Sequence, residues 1–297
     1  MQLRALRKEA IESLKDVGVE AAGVCVDWLL GDVLKMTRTE IIVHSTVEVT
    51  SAAEDIVRSG LVRRATGEPI QYIVGWTEFY GLRLEVDNRA LIPRPETELL
   101  VDEVLRLTEG VPGCRVLDVG TGSGCIALAV KSQRPDGQIV ACDISEDALA
   151  LARTNSAQLD LPVTFLLADV EKGQSMAAVG YGFDVMVSNP PYIPTRELAA
   201  LPKEIIQHEP VEALDAGLDP LRYYRALIDR ASETVVNGGR LVAEVHSDYG
   251  SQVAVLARRK GLSDVRLSAD LAGLPRMVVA TVGHGRDLSR SSVDRES

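Results

Sequence analysis

Residues 183–192 read Phe-Asp-Val-Met-Val-Ser-Asn-Pro-Pro-Tyr, an apolar run that ends in an amide, two prolines and a phenol. The apolar part is typical of a central parallel strand that is buried on both faces. Neither Pro190 nor Pro191 has a backbone N–H to donate to a sheet, so the strand has to end before them. The stretch therefore predicts a buried strand that carries a rigid polar loop.

The loop after this strand is suited to accepting hydrogen bonds, because its prolines have no N–H groups. Asn189 adds a side-chain carbonyl, and Tyr192 adds a flat ring that can pack on a planar group. Such a set fits a planar NH2 group, for example an amide or an exocyclic amine. An ordinary proline turn is the alternative, since Asn-Pro is a common turn dipeptide.

A glycine-rich loop upstream favours the functional interpretation. Residues 118–125 read Asp-Val-Gly-Thr-Gly-Ser-Gly-Cys and follow a predicted strand directly. Glycines at alternate positions let the backbone turn tightly and approach a ligand closely. In a dinucleotide fingerprint the third glycine comes one residue later, which argues against an NAD-dependent oxidoreductase.

Two further carboxylates are predicted at strand ends. Asp143 ends the second strand, where a carboxylate can accept hydrogen bonds from ribose hydroxyls, and Asp169 ends the third, where it suits an adenine amine. Ser145 is predicted to be the N-cap of the next helix. Because open α/β sheets bind ligands at the carboxyl ends of their strands, one pocket is expected to collect these residues together with Asn189.

Strands and helices alternate from residue 115 onward. Strands are predicted at 115–120, 139–144, 164–169, 183–189, 240–245, 265–268 and 277–282, and helices at 126–132, 146–158, 221–236 and 247–260. Such βαβ alternation predicts an α/β fold with a mainly parallel, doubly wound sheet and right-handed crossovers.

The chain before this region has a different pattern. Residues 1–66 are predicted to form a helical bundle, because Leu3, Leu6, Ala10, Leu14 and Val17 recur at helical spacing. Capping boxes are predicted at 37–40 and 51–54. Aromatic and β-branched residues broken by glycines predict a β-hairpin over 68–86, within a linker at 67–90. A second domain, which contains the alternating strands and helices, is placed at 91–283, and a disordered tail is placed at 284–297.

Composition excludes several classes of protein. Lysine and arginine number 32 against 43 for aspartate and glutamate, and the net charge of −11 disfavours a general nucleic-acid binder. The four cysteines and four histidines show no metal-ligand spacing and no disulfide framework. No apolar run approaches 18 residues, and the N-terminus lacks a secretory signal, so a cytoplasmic protein is expected.

Taken together, these motifs resemble the class I methyltransferases that use S-adenosylmethionine and have a Rossmann-like sheet. The resemblance narrows to the HemK/PrmC family of protein-(glutamine-N5) methyltransferases. It rests on Glu-Pro-Ile-Gln-Tyr-Ile-Val-Gly at 68–75, Leu-Ile-Pro-Arg-Pro-Glu-Thr-Glu at 91–98, and the 118–128 and 187–194 motifs, in this order. It extends from the helical N-terminus to about Val282.

The resemblance implies that the substrate is the glutamine of a Gly-Gly-Gln loop in a peptide chain release factor. It also implies a helical N-terminal domain that helps hold that factor. The expected cofactor-binding residues are Asp118, Gly120, Thr121, Gly122, Ser123, Gly124, Asp143, Asp169, Val170 and Asn189. Catalysis is expected from Asn189, Pro190 and Tyr192, and substrate binding from these three together with Pro191.

The hypothesis for the reaction is an in-line attack by the glutamine nitrogen on the sulfonium methyl group. The Asn189 side-chain oxygen and the Pro190 carbonyl would accept the two N–H bonds, and Tyr192 would pack on the amide plane. No general base is evident, and His208 and His246 are candidates by residue type alone.

Other residues near these motifs have weaker predictions. Glu96 and Thr97 are candidates for the mouth of the pocket. For Arg94 and Glu98, a position in a solvated loop without a role in the pocket explains the sequence at least as well. The sequence departs from the family pattern at Val170, where an aromatic residue is usual, and at 215–220 and 244–246. These departures affect loop geometry and cofactor affinity rather than the reaction class.

Two other functions stay open at this point. An N6-adenine methyltransferase could use the same loop on an extruded base of DNA or RNA, with Tyr192 stacked on it. The acidic composition and the lack of a target-recognition domain argue against it. A non-catalytic cofactor-binding scaffold would have no need for an amide clamp. The expected partners are release factors, without direct nucleic-acid or membrane binding, and the protein is expected to be a monomer.

Overall fold

The structure is a computed structural model that describes residues 1–270 and 272–283. The predicted disordered tail at 284–297 lies outside these residues. The helices are α1 (Leu3–Asp16), α2 (Ala22–Leu34), α3 (Arg38–Val43), α4 (Ser51–Ala65), α5 (Ile70–Val74), α6 (Glu98–Leu107), α7 (Cys125–Gln133), α8 (Glu146–Leu159), α9 (Gly173–Met176), α10 (Thr195–Leu198), α11 (Lys203–His208), α12 (Arg222–Thr234) and α13 (Gly250–Arg259). The strands are β1 (Trp76–Phe79), β2 (Leu82–Glu85), β3 (Arg115–Val119), β4 (Gln138–Asp143), β5 (Thr164–Leu167), β6 (Phe183–Ser188), β7 (Ile193–Pro194), β8 (Asp215–Gly217), β9 (Val235–Glu244), β10 (Ser263–Ala269) and β11 (Pro275–Thr281).

Helices α1 to α4 form the N-terminal region, as the apolar spacing predicts. The buried face of α1 consists of Leu3, Leu6, Ala10 and Leu14, whereas Val17 follows the helix and is exposed. These side chains pack on the buried residues of α2, so the helices are stabilised by a shared apolar core rather than by helix propensity alone.

The two predicted caps differ in outcome. Thr37 and Glu40 form the predicted reciprocal capping box at the start of α3. The second predicted box is wrong: Thr50 rather than Ser51 is the N-cap of α4, and its hydroxyl accepts a hydrogen bond from the N–H of Ala53, whose side chain cannot close a box. Ser51 is the first residue of that helix. Adjacent hydroxyl residues both suit the N-cap position, and the local pattern does not separate them.

The prediction of a β-hairpin over 68–86 is wrong in its first part. Residues 70–74 form α5, which ends at Gly75 in the left-handed conformation. The hairpin consists of β1 and β2, with Phe79 opposite Leu82. Its two turn residues, Tyr80 and Gly81, have φ values of 51° and 73°. Positive φ at both positions matches the twist of a tight hairpin.

Seven strands form the central sheet in the order β10-β11-β9-β6-β3-β4-β5. Strands β3, β4, β5, β6 and β9 are parallel, and β11 lies antiparallel between β9 and β10. The predicted mainly parallel α/β class is confirmed. The largest difference lies in β9, which begins at Val235 rather than at 240, because Val235 pairs with Phe183 across a bulge.

Both faces of the sheet are covered. On β3 the neighbouring residues Val116 and Leu117 are fully buried in separate apolar clusters, as are Val185 and Met186 on β6. This burial on both faces explains the continuous apolar run at 183–187. The sheet therefore holds its strand ends, where the polar loops begin, on a rigid base.

Candidate functional site

The parallel register brings the two predicted loops together. Val119 at the end of β3 is the partner of Ser188 at the end of β6, and Ser188 Oγ donates a hydrogen bond to the Val119 carbonyl at 2.7 Å. Gly120 and Asn189 are the next residues along each strand. The glycine-rich loop and the Asn189 loop therefore start side by side at the same edge of the sheet.

The glycine-rich loop needs its glycines for two different reasons. Gly120, Gly122 and Gly124 have φ values of 72°, 55° and 84°, a region that favours glycine. A Cβ on Gly120 would meet no atom within 4 Å, whereas one on Gly124 would lie 3.2 Å from Ala152 and from Leu128. Gly120 therefore borders open space, and Gly124 permits close packing of the helices.

Asp118 lies beneath this loop. Its side chain has 0% exposure, and Oδ2 accepts hydrogen bonds from Thr121 Oγ1 at 2.6 Å and from the Ala127 N–H at 3.2 Å. Oδ1 is buried and accepts no hydrogen bond within the described part of the chain; Ser123 Oγ is also buried and unpaired there. Burial raises the pKa of Asp118 to about 7. The carboxyl group supports the loop from below.

Asp143 connects the loop to the end of β4. Its Oδ2 accepts a hydrogen bond from the Gly122 N–H at 2.9 Å, and its Oδ1 accepts one from the Ser145 N–H at 2.9 Å. Ser145 is the N-cap of α8, as predicted. Burial raises the pKa of Asp143. The next residue, Ile144, has an apolar side chain that is 65% exposed, which the sequence analysis did not single out.

Asp169 follows β5 after Ala168 and is held by local contacts. Its Oδ1 accepts a hydrogen bond from the Glu171 N–H at 2.9 Å, and Lys172 forms an ion pair with it at 2.9 Å. Val170 packs against the apolar cluster under the sheet. The part of the site predicted for the cofactor thus combines a backbone loop with carboxylates that are already oriented by backbone N–H groups.

The Asn189 loop is held by side chains from distant parts of the sequence. Asn189 Nδ2 donates to Thr97 Oγ1 at 3.3 Å, and Thr97 Oγ1 donates to Glu244 Oε2 at 2.7 Å. The Tyr192 hydroxyl donates to Glu244 Oε1 at 3.2 Å. Burial raises the pKa of Glu244 and of Tyr192. Glu244 therefore connects both ends of the loop to the end of β9.

A cavity of about 20 Å³ lies at this loop. It is lined by Leu91, Asn189, Pro190, Tyr192, Ile193, Ala213 and Leu214. The predicted clamp residues Asn189, Pro190 and Tyr192 are thus brought to one cavity. Its remaining walls come from the loop before α6 and from the chain before β8.

Arg94 and Glu98 take part in the fold rather than in a solvated loop. Arg94 forms an ion pair with Glu209, which is 6% exposed and also accepts the Ile92 N–H at 3.1 Å. Glu98 Oε1 accepts the Tyr80 N–H at 2.7 Å. Both contacts fix the loop that carries Thr97.

The two candidate histidines have other contacts. His246 Nδ1 accepts the Asp248 N–H at 3.2 Å, and the His246 ring lies edge-on to Tyr192 with centroids 6.0 Å apart. His208 ends α11, beside Gly67. Neither contact directs a basic nitrogen at Asn189.

Comparison with known proteins identifies the family. Residues 5–75 match the model of the PrmC N-terminal domain, and residues 95–218 match the methyltransferase small domain. The release factor glutamine methyltransferase of Caulobacter vibrioides is 37% identical over 271 residues, which cover 91% of this chain and 93% of that protein. The chain belongs to the release factor glutamine methyltransferase family. The member from Deinococcus radiodurans is 38% identical and covers 94% of this chain and 98% of its own length.

Solved structures outside the release factor glutamine methyltransferase family share its fold. The hMettl16 catalytic domain in complex with a MAT2A 3′UTR hairpin superposes with a TM-score of 0.54 at 14% identity, over 82% of this chain and 85% of that one. At this identity the likeness concerns the fold alone. None of the helices within residues 1–270 and 272–283 combines the length and the apolar character of a membrane span. The same residues contain no group of three or more His, Cys, Asp or Glu side chains placed to hold a metal ion.

Proposed function

We propose that this protein methylates the side-chain amide nitrogen of the glutamine in the Gly-Gly-Gln loop of peptide chain release factors. The methyl donor would be S-adenosylmethionine. One observation carries the proposal: Asn189 Nδ2 is engaged by Thr97, which leaves Oδ1 as the acceptor that this side chain offers at the cavity. An acceptor pair formed by Oδ1 and the Pro190 carbonyl suits an NH2 group.

The loop around Gly120 fits the proposed cofactor. The open space beyond Gly120 allows a ligand to approach the backbone. The half-buried carboxylate of Asp143 suits ribose hydroxyls, and the exposed Ile144 offers an apolar surface to a purine ring. Direct contacts by Asp169 and Val170 belong to the same proposal. Asp118 would act from beneath the loop, together with Thr121.

The residues of the chain would contribute mainly orientation. An amide nitrogen is a poor nucleophile, because its lone pair is delocalised into the carbonyl group. When bound, S-adenosylmethionine supplies an electrophilic methyl group on sulfur. Asn189 and the Pro190 carbonyl would aim the nitrogen at that methyl carbon, and Tyr192 would pack on the amide plane. S-adenosylhomocysteine would be the leaving group of such a transfer, and the surplus amide proton would pass to water.

The Tyr192 hydroxyl is not a suitable base in this reaction. Burial and the neighbouring Glu244 raise its pKa, so it stays protonated and keeps its hydrogen bond to Glu244. Glu244 is covered by the hydroxyls that donate to it. The proposed mechanism therefore relies on stabilising the charge that develops on the amide, and it assigns no side chain to remove the proton.

The helical region at 1–66 is proposed to hold the release factor. Arg64, at the end of α4, forms an ion pair at 2.7 Å with Glu204 of α11. This ion pair connects the helical region to the segment that follows Tyr192, which supports a role of the helical region in binding the same substrate. We further propose a monomeric cytoplasmic protein that does not bind nucleic acid directly, in keeping with the net charge of −11.

The test is transfer of a labelled methyl group from S-adenosylmethionine to a purified release factor. The same factor with its Gly-Gly-Gln glutamine replaced is the matched control, and duplex and single-stranded DNA are tested beside it. Label on the intact factor alone is expected. Label on DNA would move the substrate to adenine, and no label on any substrate would favour a cofactor-binding scaffold.

A further inference from the structure

Glu244 is a buried carboxylate shared by two loops. It ends β9, is 1% exposed, and has a hydroxyl on each oxygen: Thr97 at 2.7 Å and Tyr192 at 3.2 Å. These three residues are separated by 95 and 52 positions in the sequence, yet hydrogen bonds bring them together, and Tyr192 lines the same cavity as Asn189. A buried carboxylate in this position needs both donors.

Asn189 is linked to Glu244 through Thr97 by two hydrogen bonds that have a defined direction: Asn189 donates to Thr97, and Thr97 donates to Glu244. The Thr97 hydroxyl donates its single proton to Glu244 Oε2, while Oε1 accepts the proton of the Tyr192 hydroxyl. A lone pair of Thr97 Oγ1 is then the group that faces Asn189, and it can only accept. The Asn189 amide therefore turns its Nδ2 towards Thr97, and Oδ1 takes the opposite side.

We propose that Glu244 is a positioning residue that fixes, through Thr97, which end of the Asn189 amide faces the substrate. The inference rests on the proposed function, because Asn189 matters in this way only for a substrate that donates N–H groups. Without the fixed direction, Thr97 could donate to Oδ1 instead. Asn189 would then present its own NH2 group to the NH2 group of the substrate, and two donors would face each other.

Replacing the carboxylate with an amide tests the direction while keeping the shape. Glu244→Gln can present either an oxygen or an NH2 group to Thr97, so the Thr97 hydroxyl is free to turn. We expect kcat for release-factor methylation to fall by about 10- to 100-fold, with the Kd for S-adenosylmethionine changed by less than about threefold. A role in stability alone would lower the melting temperature and leave kcat unchanged.

Thr97 variants supply the matched control. Thr97→Val keeps the shape but removes the hydroxyl, whereas Thr97→Ser keeps the hydroxyl and should retain kcat within about threefold. If both residues act through the same series of hydrogen bonds, Glu244→Gln should not lower kcat further in a Thr97→Val background. Multiplying losses in the double variant would overturn the proposal, as would wild-type kcat in Glu244→Gln.

A measurement independent of turnover separates this proposal from the proposed function. The side-chain NH2 resonances of Asn189 can be assigned by their loss in Asn189→Ala. They should shift relative to the wild type in Glu244→Gln and in Thr97→Val, and they should keep the wild-type position in Thr97→Ser. Unchanged resonances would overturn the positioning role even in an active enzyme. Absence of methyl transfer by the wild type would overturn the proposed function, while the resonances would still decide how Asn189 is oriented.

Discussion

The two halves of the candidate site are built in different ways. Around Gly120 the backbone itself forms the surface. The Asp143 carboxylate is oriented by the N–H of Gly122 in this loop and by the N–H of Ser145, two residues after Asp143. Around Asn189 the surface is made of side chains, and the residues that fix them lie on two loops and at the end of β9, far apart in the sequence. One half is therefore local and the other depends on the whole fold.

This difference predicts how each half responds to substitution. A backbone-built surface is sensitive to any added side chain, because the ligand approaches the main chain closely. A surface built of side chains is sensitive to the loss or reversal of a single hydrogen bond. Binding of the cofactor and turnover of the substrate should accordingly be separable by single substitutions.

The largest effect is expected at Asn189. Asn189→Ala removes the side-chain acceptor at the cavity, and we expect kcat to fall by roughly 100- to 1000-fold, the usual effect of losing one such hydrogen-bonding group. The Kd for S-adenosylmethionine, measured by calorimetry on the same variant, should stay within a few fold. Near-normal turnover would show that Asn189 has no role in the reaction, and it would contradict the proposed separation of cofactor binding from turnover.

The complementary substitution is Gly120→Ala. The added Cβ would enter the open space beside the loop, so we expect the Kd for S-adenosylmethionine to rise at least about tenfold, in addition to a backbone strain of about 1 kcal/mol at φ 72°. Gly110→Ala is the matched control, because Gly110 has φ 71° and also has no neighbour within 4 Å. Equal cofactor affinity in the two variants would contradict the assignment of the loop.

The support beneath the loop should be visible in the pH dependence of stability. The pKa of Asp118 is about 7 in the folded protein, against an ordinary value of 3.8, so folding favours its protonated form. Its contribution to the free energy of unfolding is therefore fully present below the ordinary pKa. It declines as the pH rises from about 4 to 7, by roughly 4 kcal/mol at most.

Asp118→Asn removes this titration while keeping the shape of the side chain. Urea unfolding of both proteins at several pH values from 5 to 7.5 should show the wild type losing stability relative to the variant as the pH rises. Since the other groups titrate alike in both proteins, the difference isolates Asp118. Parallel stability curves would show that its carboxyl group is ionised throughout this range.

The smallest effect is expected where the two halves join. Ser188→Ala removes the hydrogen bond to the Val119 carbonyl and should lower the free energy of unfolding by about 1 kcal/mol. Kd for the cofactor and kcat should change by less than about threefold, because the parallel strand pairing remains. A large loss of kcat would mean that the halves are coupled through this serine.

The sheet and the loop around Gly120 could largely be predicted from the sequence. The apolar run at 183–187 and the glycines at 120, 122 and 124 are local signals, and the strands that lead into these loops are parallel, as predicted. Ser145 also has a local partner. Such features are readable because the residues that decide them are neighbours in the chain.

The half of the site around Asn189 could be predicted from the sequence only in part. Asn189 and Tyr192 are candidates from residue type, whereas Glu244 stands out only as part of a turn, since nothing in the sequence places it beside Thr97, 147 residues away. The start of β9 at Val235 depends likewise on a partner, Phe183, on another strand. Helix α5 was missed because a five-residue helix has too few turns to show a period.

The cavity at Asn189 is smaller than the group it is proposed to receive. The space open to the centre of a water molecule there is about 20 Å³, room for about one water molecule, whereas a primary amide with its methylene groups is several times larger than one water. Binding of a glutamine side chain as proposed would therefore require the surrounding wall, which includes Leu91 and Leu214, to move. Free glutamine would have no other contacts to offset that cost, but a folded protein that also touches the helical region, as proposed, would have them. The proposed site would thus discriminate against the free amino acid and against short peptides.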